Sequence, residues 1–204
     1  MATERPIIFS GAMVRAILDG RKTQTRRVVK LQPRSRADIG HHGAGMPFIR
    51  NPDPLCKNFA CPYGHPGDRL WVRETWGTGG YFPYPYAYRA DGVEYPNERW
   101  KPSIHMPRRG CRLVLEITGV RVERLQAISD ADCWAEGAAV QARPDQFSVH
   151  SVLGPDGKAY LSPRGAFHAL WTSTGGDWDA NPWVWVVEFR RVLDAQPQEG
   201  KGNG

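Results

Sequence analysis

Over residues 112–122 apolar and polar side chains alternate, with Leu113, Leu115 and Ile117 set against Arg112, Glu116 and Thr118. A period of two marks a strand with one buried face, and it excludes an all-helical chain. The stretch Arg69-Leu70-Trp71-Val72-Arg73-Glu74-Thr75-Trp76 alternates in the same way after the turn Pro66-Gly67-Asp68. Residues 183–190 read as a closing strand, and Tyr86-Ala87-Tyr88-Arg89 as a short one before the turn signal Asp91-Gly92. Helical spacing is confined to three short places. Ser10 precedes Met13, Val14, Ile17 and Leu18, with Gly20 as terminator; Ser129 with Asp132 opens a helix that Gly137 stops; a third covers 166–171. Helix, strands, two short helices and a last strand describe an α+β domain with a mostly antiparallel, closed sheet.

The domain spans 1–192. Long insertions interrupt it at about 31–66 and 77–110, and 193–204 form a flexible polar tail. The first insertion is rich in Gly, Pro, Arg and His without a sustained period, so it reads as loop. A second irregular stretch, 141–162, has a hairpin signal at Pro155-Asp156-Gly157.

No run approaches the roughly 20 apolar residues of a membrane span. The first ten residues carry no basic segment followed by an apolar run, which leaves the cytoplasm as the expected location. Lysine and arginine outnumber aspartate and glutamate 27 to 21, a net charge of +6 that suits a phosphate-bearing partner. The four cysteines, Cys56, Cys61, Cys111 and Cys133, read as thiols or metal ligands rather than disulfides. Cys56 and Cys61, with His41, His42 or His65 nearby, form a candidate structural zinc site, weighed against two plain thiols in a loop. No cofactor is required otherwise.

The run Ala16-Ile17-Leu18-Asp19-Gly20-Arg21-Lys22-Thr23-Gln24-Thr25-Arg26-Arg27 resembles the signature of ASCH domains, which belong to the PUA-like superfamily. Pro66-Gly67-Asp68-Arg69-Leu70-Trp71-Val72, Leu115-Glu116-Ile117-Thr118 and Trp185-Val186-Val187-Glu188-Phe189 resemble three further segments of that family in the same order. The chain is similar to ASCH-type proteins carried by phages and prophages. The resemblance implies a PUA-like β-barrel with short flanking helices and a cleft for RNA or modified nucleobases. It also extends to the small bacterial N4-acetylcytidine amidohydrolases, whose functional lysine, threonine and glutamate fall on Lys22, Thr25 and Glu116.

Amide hydrolysis at an exocyclic base nitrogen needs a nucleophile, a proton acceptor and a proton donor. Thr25 supplies a hydroxyl, Lys22 a base if burial or adjacent cations lower its pKa, and Glu116 a carboxylate to shuttle the proton. Arg26 and Arg27 suit a phosphate or a developing negative charge. Trp76, Tyr88, Trp100, Ser103 and His105 combine stacking rings with hydrogen-bonding groups, as base recognition requires, although a Trp more often fills core. Three functions stay open. One is a hydrolase of N4-acylated cytosine bases or nucleosides; the others are a non-catalytic binding module for RNA or modified DNA, and an ASCH-type ribonuclease.

Overall fold

The computed structural model describes residues 2–79, 85–93, 99–141 and 152–192, Ala44 by its backbone alone. Five strands make the central sheet: β1 (Glu4–Ile8), β2 (Gln24–Val28), β3 (Arg69–Arg73), β4 (Val114–Arg124) and β5 (Trp183–Val192). Their spatial order is β1-β3-β4-β5-β2, with β1 parallel to β3 and the other pairings antiparallel. Three helices, α1 (Gly11–Leu18), α2 (Asp130–Ala135) and α3 (Pro163–Ser173), complete an α+β fold.

The alternation in β4 does what its period requires. Leu115 and Ile117 enter the main core with Leu70 and Val72 of β3, Ile7 of β1, and Trp185, Val187 and Phe189 of β5. Met13, Val14 and Ile17 of α1 cover that face. On the opposite face, Val184 and Val186 of β5 pack with Leu125, Ile128, Cys133, Phe167 and Trp171, which come from α2, α3 and the approach to α2. Burying a side chain of this size contributes about 1.5–3 kcal/mol, so the two faces fix the register of β5 strongly.

The two central-sheet edges, β1 and β2, share no backbone ladder, so the expected closed barrel is not what the described residues form. The sheet is open, and a side chain spans its gap: Arg27 donates from Nη2 to the carbonyl of Ile8 at 2.7 Å. The 31–66 insertion also departs from its reading as loop. It holds a small antiparallel sheet of strands Ile39–His42, Met46–Ile49 and Phe59–Ala60, and Phe48, Ile49 and Cys61 are buried. Strands of two to four residues are too short for alternation to stand out among glycines and prolines. The 77–110 insertion pairs Trp76–Gly77 with Ala87–Tyr88 and then proceeds by single 3₁₀ turns. The tail 193–204 lies outside the described residues, as does most of 141–151.

Strand β1 was not visible as a strand in the sequence; its ladder lies with a segment 65 residues on. The side chain that secures it is Asp68, which is wholly buried in the turn before β3. Its carboxylate accepts from Thr3 N–H at 2.8 Å and from Arg5 Nη1 at 2.7 Å. Burial pushes the Asp68 carboxyl up, but those bonds, with the N–H of His65, outweigh it and hold the pKa below its ordinary value. Replacement by alanine strands the Thr3 N–H and releases Arg5. Asp68→Ala is therefore expected to lower stability by about 2–3 kcal/mol, read as a fall in the urea midpoint with the slope unchanged.

Candidate functional site

The chain leaves α1 through Gly20, whose φ of +73° only glycine adopts cheaply. The carbonyl of Ala16 then accepts from both Arg21 N and Lys22 N, at 2.9 and 3.0 Å, which folds the strand entrance back under the helix. Helix α2 meets it there. Ser129 and Asp132 form a capping box at its start, and Glu136 is its C-cap. Gly137 follows at φ +68°, and a Cβ on it would stand 3.0 Å from that of Lys22 and 2.9 Å from that of Ala16. Glycine is needed at that position both for the turn and for the close approach.

Lys22 and Glu136 consequently meet in the interior, 4% and 3% exposed. The Lys22 ammonium donates three bonds of 2.8 Å each, to the carbonyls of Gln24 and Glu136 and to Glu136 Oε2. Arg26 donates from Nη1 to the other carboxylate oxygen, Oε1, at 3.2 Å. Arg26 is itself buried and held by Glu123 and by Asp132, the latter at 3.2 Å. Burial lowers the Lys22 pKa below its ordinary value. The charge and hydrogen bond of Glu136 oppose that shift, and the charges of Arg27 and Arg26 add to it.

A cavity of about 140 Å³ opens beside this cluster, between the C-terminal end of β1, the start of α1, β2 and the face of α3. Lys22, Thr25, Arg26, Arg27 and Glu136 supply its polar wall; Phe9, Met13, Phe167, Leu170 and Trp171 supply its apolar one. Among the described residues, Glu136 is the single carboxylate in that lining. The cavity lies at the gap in the sheet. Phe189 N donates to Thr23 O and Val29 N to Trp183 O, so alternate residues of β2 face β5. Gln24, Arg26 and Val28 then turn their backbone groups the other way. Lys22 takes the Gln24 carbonyl, and the N–H and C=O of Arg26 are left facing the gap. Arg27 and Lys22 both sit over the ring of Phe9, at 5.3 and 5.4 Å from its centroid. The Nε of Arg27 is buried and has no acceptor among the described residues.

Four of the expected site residues thus come together: Lys22, Thr25, Arg26 and Arg27. Glu116 does not join them. It lies on the face of β4 opposite Leu115 and Ile117, and its carboxylate pairs with Arg190 at 2.9 and 3.0 Å. The carboxylate at Lys22 is Glu136, which the sequence reading passed over. The signal for it is the sequence Glu136-Gly137 at the end of a capped helix. The aromatic group is also elsewhere. Trp76 and Tyr88 pair across a short ladder and pack with Met106, Cys111 and Val114 on the far face. Tyr88 donates its hydroxyl to the Gly110 carbonyl, at 2.9 Å, under the Arg112 guanidinium. Ser103 and His105 form a 3₁₀ turn beyond them, and Trp100 likewise stands outside the cavity lining.

The two loop cysteines separate. Cys61 is a core side chain whose thiol burial pushes up to about 11, while Cys56 is exposed and donates to Asp53. Among the described residues no three His, Cys, Asp or Glu side chains converge as a metal site, and no helix is long and apolar enough to cross a membrane.

No family model matches the chain, and no curated protein matches it. Among solved structures, a crystal structure of an ASCH domain from Lactobacillus crispatus JV V101 aligns at 13% identity. The alignment covers 93% of this chain and 79% of that one, with a TM-score of 0.37. A likeness at that score leaves the argument to the residues themselves.

Asp132 gives the cluster a pH signature. Burial raises its pKa, but hydrogen bonds from Gln24 and Ser129 and the charges of Arg26 and Arg121 bring it down to about 2, from an ordinary 3.8. A depressed carboxylate stabilises the fold above its unfolded pKa and loses that contribution as pH falls through the folded one. The stability gap between the native protein and Asp132→Asn is therefore expected to be constant above about pH 4 and to close toward pH 2. Urea unfolding at a series of pH values, followed by circular dichroism, checks it.

Proposed function

We propose that the protein is a nucleobase- or nucleoside-directed hydrolase that cleaves an exocyclic amide, with N4-acylated cytosine as the substrate class. The observation that carries this reading is a single carboxylate, Glu136, held between Lys22 and Arg26 on the wall of a small cavity that also presents the Thr25 hydroxyl. The apolar wall of Phe9, Phe167 and Trp171 suits the flat face of a base, and the polar wall suits the reacting amide.

Roles follow from which lone pairs are free. All three N–H directions of Lys22 already have acceptors, so it serves as a fixed charge that orients Glu136 rather than as the base. Glu136 takes the proton of Thr25 as the hydroxyl oxygen bonds to the acyl carbon. The Nε–H of Arg27, without an acceptor, is the donor available to the oxyanion. The C–N bond then breaks, the exocyclic nitrogen takes the proton back from Glu136, and water hydrolyses the threonine ester to the free acid. A second reading is favoured by the saturated ammonium of Lys22: a binding module that holds the base without turnover.

Purified protein incubated with N4-acetylcytidine, with deacetylation followed by chromatography, tests the assignment. Turnover is expected, and Thr25→Ala and Glu136→Gln are each expected to lower it by about 100-fold or more. Glu116→Gln, outside the cavity, is expected to leave it unchanged. Folded native protein with no turnover, or variants that keep full turnover, would remove the hydrolase reading.

A further inference from the structure

The three β2 residues whose backbone groups turn away from β5 meet different ends. The Gln24 carbonyl accepts from Lys22 Nζ at 2.8 Å. Val28 is 49% exposed and open to water. Arg26 lies between them and is buried, and its N–H and C=O have no partner among the described residues. Its neighbours Thr25 and Arg27 are paired with Val187 and Trp185 across the ladder. A buried peptide donor and acceptor left unpaired cost stability, so such a pair is kept where water or a ligand completes it. Arg26 also lines the cavity. The residue as a whole is 4% exposed and its side chain 0%, the guanidinium being enclosed by Glu123, Asp132 and Glu136. What Arg26 offers a ligand is therefore main chain. Across the gap, the carbonyl of Ile8 is already taken by Arg27 Nη2 at 2.7 Å.

We propose that the N–H and C=O of Arg26 are the reading edge of the cavity, and that they select a ring with an acceptor beside an exocyclic N–H. The inference rests on reading the cavity as a base site and adds what that site discriminates. An N4-acylated cytosine presents the pattern: its ring N3 accepts from the Arg26 N–H, and its amide N4–H donates to the Arg26 carbonyl. Thr25, one residue earlier on the same strand, lines the same cavity with its hydroxyl. The substrate is then a secondary amide next to an unsubstituted ring nitrogen. A tertiary amide lacks the donor and a base substituted at N3 lacks the acceptor, and each strands one Arg26 group in the interior. The Arg26 side chain takes no part in the contact; its three carboxylate partners fix the peptide that does.

Amide hydrogen exchange followed by NMR, on Thr25→Ala protein with saturating N4-acetylcytidine, tests the contact without turnover. Without ligand, the Arg27 N–H on the β5 side is expected to exchange slowly and the Arg26 N–H fast. Ligand is expected to slow Arg26 by about tenfold or more. Affinity supplies the second arm. N4-acetyl-3-deazacytidine, in which C–H replaces ring N3, and N4-acetyl-N4-methylcytidine are each expected to bind about tenfold more weakly or worse. Native protein with cytidine and 3-deazacytidine, neither of which carries an acyl group to lose, repeats the comparison without a substitution. Saturable binding of N4-acetylcytidine with Arg26 exchange unchanged would overturn the main-chain reading and leave the base site standing. A 3-deaza analogue that binds as tightly as its parent would do the same. No saturable binding of either parent nucleoside to folded protein would overturn both.

Discussion

The buried ion pair of Lys22 and Glu136 is the constraint around which this end of the molecule is arranged. Removing two such charges from water costs several kcal/mol per ion, and their attraction repays it only when every remaining donor and lone pair is placed. Here the repayment is visible: three acceptors on the ammonium, and an arginine on the second carboxylate oxygen. The arginine passes the requirement outward to Glu123 and Asp132, and Arg121 and Gln24 tie those in turn. The cluster therefore sets the positions of α2, β2 and the outer part of β4 together. An apolar cluster of equal volume would hold those elements as well, so stability alone gives no reason for charges to be there.

What the charges do is define the gap in the sheet. An edge strand presents unpaired backbone groups, and a fold must cover them, pair them or use them. The entrance to β2 is tied to the end of α2, where Thr23 N donates to the Ala135 carbonyl at 2.8 Å. The far edge is bridged by Arg27 reaching Ile8. Between the two lies the cavity, lined by Lys22, Thr25, Arg26, Arg27 and Glu136. A fully closed ladder would have erased it.

Local features were legible in the sequence, and partnerships across the chain were not. Helix α1 has the expected bounds, though Ser10 occupies the N-cap without a side-chain bond, and the Ser129–Asp132 capping box is present as read. These depend on residues three or four apart. The pairing of Lys22 with Glu136 spans 114 residues, and the Glu136-Gly137 signal at the end of α2 does not name the partner. Family position puts Glu116 with Lys22 and Thr25, whereas its own alternation places it on the other face of β4. A residue flanked by inward-facing Leu115 and Ile117 must face away from them, and Thr25, opposite Val187, faces with them. Strand β1 was hidden for the same reason as Glu136, since parallel pairing to β3 is a long-range choice.

A buried ion pair does not by itself make a site, and the molecule contains its own comparison. Glu74 is 1% exposed and is gripped by Arg112 through two bonds of 2.9 Å, with Asp91 on the third side of the guanidinium at 2.7 Å. Burial pushes the Glu74 pKa up while Arg112 pulls it back, the same opposition that acts on Lys22 with the sign reversed. The difference lies in the surroundings. Both Glu74 oxygens are consumed by one planar fork, and the Tyr88 ring lies 4.0 Å from the carbon of that guanidinium. Glu136 has its two oxygens held by two separate cations on a cavity wall, with a hydroxyl and an unfilled guanidinium N–H in the same lining. The first arrangement closes a core; the second sets a carboxylate shared by two cations into the wall of a cavity.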